Sequence, residues 1–300
     1  MALLPSEFPP GLSDMPTERI FVSSGAFPSD DLPTVLDLAE RWGVMALELS
    51  SGLRHRPDLL RLTRKAHGRL RLLLHNYFPA PANPFVLNLA SLEPDTLRRS
   101  LSHCRRALQL SADLGCGFFS VHAGFAANAQ ARHLGRSWDE LETVSRSEAF
   151  AVFIAAIRDM TTHAASLGLD FLIENNVLAP FNWRADRPSP LLGVTAEELL
   201  ELVDAVNSPN FGILMDVGHL KVSACTLGFD PGEALDRLLP AIRAFHLSDN
   251  DGLADTNQPF GPDAWFLPWL ARKREVPLII EAYHLDEATL IGCRDILAGL

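Results

Sequence analysis

Residues 168–176 read GLDFLIENN, and residues 212–219 read GILMDVGH. Each stretch contains a short apolar run that ends at a carboxylate, Glu174 in the first and Asp216 in the second. Such runs are typical of strands that are buried on both faces, as in a parallel sheet. An ionisable group at the end of a buried strand is costly unless it is paired or bound to an ion. The two stretches therefore predict parallel strands that end at functional side chains.

The same pattern recurs along the chain, with longer amphipathic segments between the apolar runs. The predicted strands are Ile20–Ser24, Ala46–Ser50, Leu70–His75, Gly117–His122, Asp170–Glu174, Gly212–Asp216, Ala244–His246 and Pro277–Glu281. Helical spacing predicts helices over Asp95–Leu114 and Ser147–Leu167, and a capping box at 195–198 begins another that runs to Val206. We therefore predict a single α/β domain over residues 19–300, preceded by a leader over residues 1–18.

Polar residues at the strand ends distinguish between a closed barrel and an open doubly wound sheet. Seven of the predicted strands carry such a residue at or near their ends: Glu48, His75, His122, Glu174, Asp216, His246 and Glu281. A barrel brings all its strand ends to one mouth, whereas an open sheet gathers only those near its switch point. The pattern therefore predicts a (β/α)8 TIM barrel. No GxGxxG or GxxxxGK[ST] segment occurs, so we expect no nucleotide cofactor.

Four of these residues form a set that suits a divalent metal ion. They combine three carboxylates with one imidazole: Glu174, Asp216, His246 and Glu281. Such an oxygen-rich set suits Mn or Mg, with Zn or Co as alternatives. We predict that all four bind the metal and that Glu174 and Glu281 are also the catalytic groups.

Other polar residues near the strand ends have less defined roles. His75 and His122 could hold a second ion with Glu174 bridging, or could bind substrate hydroxyl groups; His219 could do either. We expect substrate contacts from four further residues: Glu48, Asn175, Asn257 and Trp183.

Composition narrows the class of partner. The 300-residue chain has a net charge of −11, from 26 basic and 37 acidic residues, which argues against extended nucleic-acid binding. Its four cysteines are scattered without a CxxC pair, as is typical of reduced thiols, and favour the cytoplasm. We see no signal peptide and no apolar run long enough to span a membrane, so we expect no membrane association.

The motifs resemble the xylose-isomerase-like barrel superfamily, which includes endonuclease IV and the sugar isomerases and epimerases. The resemblance covers the chain from about Ile20 to Leu297. It rests on DVGH at 216–219 followed by HLSDND at 246–251, and on FVLNLAS at 85–91 followed by VHAG at 121–124.

Two branches of the superfamily imply different sites. The trinuclear zinc pattern of endonuclease IV would fall on His75, His122, Glu174, Asp216, His219, His246, Asp255 and Glu281. Where that branch has a D-x-H pair, this chain has Asp255-Thr256-Asn257, so the third ion would keep only His219 and Asp255. The D-tagatose 3-epimerase branch implies one metal on Glu174, Asp216, His246 and Glu281, with His219 on the substrate; its usual Arg is here Gly252.

The leading hypothesis is a metal-dependent isomerase or epimerase of a sugar, sugar phosphate or related polyol that transfers a proton through a metal-bound enediolate. One alternative is a multinuclear zinc phosphoesterase resembling endonuclease IV, and another is a non-catalytic sugar-binding barrel. The expected partner is a small sugar-like molecule, and the resemblance leaves a homo-oligomer open.

Overall fold

Eight parallel strands close into a barrel in chain order in the computed structural model, which describes residues 18–130, 133, 137–138 and 141–300. The strands are β1 Ile20–Ser23, β2 Ala46–Leu49, β3 Arg71–His75, β4 Phe118–His122, β5 Asp170–Glu174, β6 Phe211–Asp216, β7 Ile242–Leu247 and β8 Leu278–Ile280. Pairing of Ile20 in β1 with Leu278 in β8 completes the ring. The predicted TIM barrel is therefore confirmed.

Helices follow the strands and pack around the outside of the barrel. Within the described ranges they are α1 Leu32–Arg41, α2 Leu59–His67, α3 Pro94–Asp113, α4 Arg146–Ser166, α5 Ala196–Val206, α6 Val217–Leu227, α7 Pro231–Leu238, α8 Leu267–Arg272 and α9 Glu287–Ala298. The N-cap of α5 is Thr195, whose hydroxyl accepts a hydrogen bond from the backbone N–H of Glu198. This bond is the cap that the sequence predicted.

The sequence located every strand, with small errors at the ends. Each predicted strand differs from the observed one by no more than two residues at either end. Glu281 was expected to end β8, but the strand stops at Ile280 and Glu281 follows at once. Glu48 lies one residue before the end of β2. These shifts leave the polar residues at the same end of the barrel.

The core is apolar and continuous between the sheet and the helices. On α4, for example, Ala149, Phe153, Ile157, Met160 and Ala164 are buried, a spacing of three or four residues that places them on one face. The strands are themselves almost wholly buried, including all six residues of β6. Such a rigid barrel holds its strand ends in fixed positions around one mouth.

Strand register brings the predicted site residues side by side. His122 on β4 pairs with Glu174 on β5, and Asp216 on β6 pairs with His246 on β7. Residues paired in register on neighbouring strands point to the same side of the sheet. Each pair therefore presents its two side chains together.

Two predictions concern the chain beyond this barrel. The predicted leader, residues 1–18, lies outside the described residues except for Glu18. Across the described ranges, no helix combines the length and the apolarity needed to cross a bilayer.

Candidate metal centre

Glu174 lies at the centre of a cluster of imidazoles. It is fully buried at the end of β5. Its Oε2 atom lies 3.1 Å from Nε2 of His75 and 3.1 Å from Nδ1 of His122, while Oε1 lies 3.1 Å from Nδ1 of His246. The two oxygens thus face different histidines, an arrangement in which one carboxylate can bridge two positive centres.

Asp216 is fixed by the helix that it begins. As the N-cap of α6, it accepts a hydrogen bond on Oδ1 from the backbone N–H of His219, at 2.8 Å. The amide of Asn175 bonds both the N–H and the C=O of the Asp216 backbone, at 2.8 and 3.0 Å. These contacts orient the carboxylate while leaving Oδ2 without a hydrogen bond among the described residues.

His246 lies between carboxylates on both sides of its ring. Its Nδ1 atom is 2.6 Å from Oε2 of Glu281 and 3.1 Å from Oε1 of Glu174. Its Nε2 atom is 3.1 and 3.0 Å from the two oxygens of Glu48. The Nδ1 side therefore faces the predicted metal ligands, and the Nε2 side faces Glu48.

Two further histidines have one nitrogen held by the protein. His75 Nδ1 bonds the hydroxyl of Ser120 at 2.9 Å, and His219 Nδ1 bonds the carbonyl oxygen of Asn175 at 2.8 Å. The remaining nitrogens turn towards carboxylates: His219 Nε2 lies 3.2 Å from Oδ2 of Asp255. Holding the far nitrogen of an imidazole is how proteins orient histidines that bind metals.

The hydrogen bonding of the cluster fits a divalent ion. Among the described residues, two buried oxygens of the site lack a hydrogen-bond partner, Asp216 Oδ2 and Asp255 Oδ1, while His75 Nε2 and Glu174 Oε2 face each other at 3.1 Å without hydrogen-bond geometry. Burying an unpartnered oxygen costs about 1–3 kcal/mol, whereas a bound ion would take it as a ligand. Donor atoms come within 4.8 Å of one another in three groups: Glu174–Asp216–His246–Glu281, His75–His122–Glu174 and Glu48–His75–His246.

The charges of the cluster depend on burial and on close neighbours. Burial raises the pKa of Asp216 to about 8. Burial alone would raise the pKa of Glu174. The neighbouring His122, His75 and His246 outweigh burial and hold that pKa well below its usual range. For His246, burial disfavours the cation, yet the surrounding glutamates raise its pKa well above the usual value. Glu174 and His246 thus form a buried carboxylate–imidazolium contact, whereas burial favours the neutral form of Asp216.

Not every predicted substrate contact faces this cluster. Asn257 directs its amide to the carbonyl oxygen of Glu281, at 3.3 Å, and Asn175 uses its amide on Asp216. Trp183 packs against a small apolar cluster that includes Phe125 and Leu178. In the structure the two asparagines thus bond backbone groups, and the tryptophan packs against apolar side chains. Their predicted roles on a substrate stay predictions.

Gly252 stands where the D-tagatose 3-epimerase branch usually has an arginine, and the local backbone explains why a glycine is found here. Its φ angle is +82°, and a Cβ atom there would lie 2.5 Å from Sγ of Cys225. Both features disfavour any side chain at this position. An arginine would therefore require the loop after β7 to take another course.

The sequence reasoning missed two polar residues near the cluster. Ser120 lies two residues before His122 on β4, and Tyr283 follows Glu281 by two residues in the stretch PLIIEAY. Tyr283 is 45% exposed, and its backbone N–H bonds the carbonyl oxygen of Asn257 at 2.9 Å. The signal for Ser120 was its spacing, because residues two apart on a strand point to the same side.

Known proteins share this fold and, in part, this sequence. The uncharacterized protein MJ1311 of Methanocaldococcus jannaschii is 26% identical over 178 residues, 58% of this chain and 52% of that protein. The chain thus spans about half the length of the curated relative it matches.

Solved structures match over almost the whole chain. A D-tagatose 3-epimerase-like protein is 20% identical with a TM-score of 0.71, and the match covers 94% of this chain and 96% of that one. A Thermus thermophilus protein soaked with ZnCl2 is 21% identical with a TM-score of 0.62, over 93% and 97%. The 3-keto-D-glucoside 4-epimerase of E. coli is 12% identical with a TM-score of 0.66, over 94% and 98%. At these identities the likeness shows the fold.

A family match covers more than half of the chain. Residues 36–284 match the family described as xylose isomerase-like TIM barrel, a range that runs from α1 to the loop after β8 and includes Glu48 and Glu281. The chain therefore belongs to the xylose isomerase-like TIM barrel family.

Proposed function

We propose that the protein is a divalent-metal-dependent isomerase or epimerase of a sugar, sugar phosphate or related polyol. One observation carries the proposal. Glu174 and Glu281 both approach Nδ1 of His246, and with Asp216 they place four ligand atoms within 4.8 Å of one another. This set contains both an ion-binding group and two carboxylates able to exchange a proton with a bound substrate.

The residues that would hold the ion are Glu174, Asp216, His246 and Glu281. Their donors suit Mn or Mg, with Zn or Co as alternatives. When bound, a divalent ion polarises a carbonyl group and so acidifies the neighbouring C–H bond. Asn175 hydrogen-bonds the backbone of Asp216, and Glu48 hydrogen-bonds Nε2 of His246. Asp216 and His246 are therefore fixed in orientation, which suits a role in binding the ion.

Glu174 and Glu281 would move the proton. One carboxylate removes the proton from the carbon beside the carbonyl group, which leaves an enediolate, and the other returns a proton to the opposite face or to the adjacent carbon. Glu281 is 6% exposed, and Tyr283, two residues further along the chain, is exposed. His122, whose side chain is 38% exposed, would orient a substrate hydroxyl group.

The names of similar structures support this choice. The similar structures include proteins named as a D-tagatose 3-epimerase-like protein and a 3-keto-D-glucoside 4-epimerase.

A second candidate is a zinc phosphoesterase that uses two or more ions. The favouring observation is that Oε2 of Glu174 faces His75 and His122 while Oε1 faces His246. A third ion would have His219 and Asp255, which lie 3.2 Å apart, and would lack Asn257, whose amide bonds elsewhere. A barrel that binds a sugar without catalysis is the third candidate.

Exchange of substrate protons with solvent tests the proposal. Protein loaded with Mn²⁺ is incubated in D2O with a panel of free and phosphorylated ketoses, and NMR follows the carbon-bound protons. We expect deuterium to enter beside the carbonyl group of at least one ketose. Glu174→Gln and Glu281→Gln should abolish the exchange, whereas Glu40→Gln, the same change on the exposed face of α1, should not.

The outcomes separate the candidates. Turnover without label at the reacting carbon would exclude the proton-transfer mechanism. Hydrolysis of a phosphodiester by zinc-loaded protein, with no ketose labelled, would favour the phosphoesterase. Sugar binding without either activity would leave the non-catalytic barrel.

A further inference from the structure

Glu48 is a buried carboxylate in the barrel interior. It lies on β2, is 0% exposed, and is far along the chain from its partner His246. Both of its oxygens lie 3.0–3.1 Å from Nε2 of that ring. Since an isolated charge is very costly to bury, the contact with His246 accounts for a carboxylate at this depth.

The contact determines which side of the imidazole faces the metal ligands. With Nε2 donating to Glu48, Nδ1 is the nitrogen that faces Glu174 and Glu281, at 3.1 and 2.6 Å. A neutral histidine has one protonated nitrogen and one with a free lone pair. When the His246 cation gives up one proton to bind an ion, the acceptor at Nε2 keeps the other proton there and leaves the lone pair on Nδ1, on the side of the predicted ligands.

We propose that Glu48 is a positioning residue, which fixes the ring and the tautomer of His246 so that Nδ1 binds the metal ion. This inference rests on the proposed function, since it assumes that an ion binds beside His246. It is an alternative to the substrate-binding role expected from the sequence, and the full burial of Glu48 with both oxygens on His246 favours it. A carboxylate that accepts a hydrogen bond from one nitrogen of a metal-binding histidine also makes the other nitrogen a stronger metal ligand.

Ser120 provides an internal comparison. It holds Nδ1 of His75 at 2.9 Å, so that Nε2 of His75 faces Oε2 of Glu174. Its hydroxyl is neutral and acts on a histidine outside the four-residue set. Ser120 therefore reaches the four-residue set only through His75 and Glu174, whereas Glu48 contacts His246 directly.

Metal titration of the full chain tests the inference. Chelator-treated wild type, Glu48→Ala, Glu48→Gln and the control Glu40→Gln are titrated with Zn²⁺ and with Mn²⁺ by calorimetry. We expect Glu48→Ala to raise the dissociation constant of the most tightly bound ion by about 10- to 100-fold, with the number of bound ions unchanged. Glu48→Gln should fall between Glu48→Ala and wild type, because its amide oxygen still accepts from Nε2–H without the charge. Glu40→Gln, on the exposed face of α1, should bind the ion as wild type does.

A spectroscopic measurement is independent of affinity. In zinc-loaded protein labelled with ¹⁵N-histidine, wild type should show a His246 ring with a slowly exchanging Nε2–H proton and no proton on Nδ1. Glu48→Gln should retain this proton and Glu48→Ala should lose its protection from exchange. The wild-type spectrum and the isosteric Gln variant suffice if Glu48→Ala fails to fold.

Each contrary outcome has a distinct meaning. If Glu48→Ala binds as tightly as wild type with an unchanged His246 signal, the inference is wrong and the proposed function stands. If the Glu48 variants lose an ion instead of affinity, Glu48 is itself a ligand and the positioning role is overturned. If wild type binds no ion, the proposed function fails and the inference fails with it.

Discussion

Glu174 illustrates what a single sequence can and cannot specify about a residue. Its position at the end of an apolar run identified it as a candidate ligand, since a buried carboxylate needs a partner. The sequence did not show that its two oxygens face different histidines. That detail depends on side-chain torsions and on the register of β4, β5 and β7, which local patterns do not encode.

His103 is a buried histidine outside the cluster, and its titration predicts acid sensitivity. Burial lowers its pKa from 6.5 to about 4, while Nε2 keeps one bond, to the carbonyl oxygen of Asn76. The folded pKa is below the unfolded one, so this stabilisation is complete above 6.5 and is lost as the pH falls towards 4. The total effect is about 3 kcal/mol.

Chemical denaturation over this pH range measures the effect. The free energy of unfolding should fall less steeply with acid in His103→Gln, which keeps a donor for Asn76 but does not titrate. Equal acid dependence in both proteins would show that His103 is not the group responsible.

At the scale of elements, the turn from β6 into α6 positions one of the predicted metal ligands. Asp216 ends β6 and caps α6, so the turn from strand to helix leaves one carboxylate oxygen for the cluster. The DVGH motif was recognised from sequence, but the reason for its glycine was not. A Cβ atom at Gly218 would lie 2.6 Å from Oγ of Ser248 and 3.2 Å from Oδ1 of Asp216.

Replacing this glycine should damage both stability and the site. We expect Gly218→Ala to lower the free energy of unfolding by about 1–3 kcal/mol, as overpacking does, and to weaken metal binding because Asp216 must shift. Gly292→Ala is the matched control. Gly292 lies inside α9 with nothing within 4 Å of a Cβ atom, so alanine should stabilise by about 0.5–1 kcal/mol.

Thermal or denaturant unfolding of both variants, together with metal titration, checks this pair. If Gly218→Ala were as stable as wild type and bound metal equally well, the close packing at the start of α6 would not matter to the site.

At the scale of the whole molecule, the barrel was the most predictable feature. Short apolar runs alternating with amphipathic helices fixed the order of elements, and polar strand ends favoured closure over an open sheet. The loops were less predictable. Asn257 and Gly252 both have positive φ angles, and their packing against Glu281 and Cys225 depends on contacts distant in the chain. Local sequence does not determine such contacts.

Because the barrel holds its strand ends rigidly, a metal ion bound among them should occupy one position that a crystal structure can show. The most direct test is an anomalous difference map from crystals of the full chain grown with MnCl2. We predict a peak bonded to Glu174, Asp216, His246 and Glu281, absent in crystals of Glu174→Gln. A wild-type map with no peak among these four residues, or with Mn²⁺ only beside His75 and His122, would contradict the account.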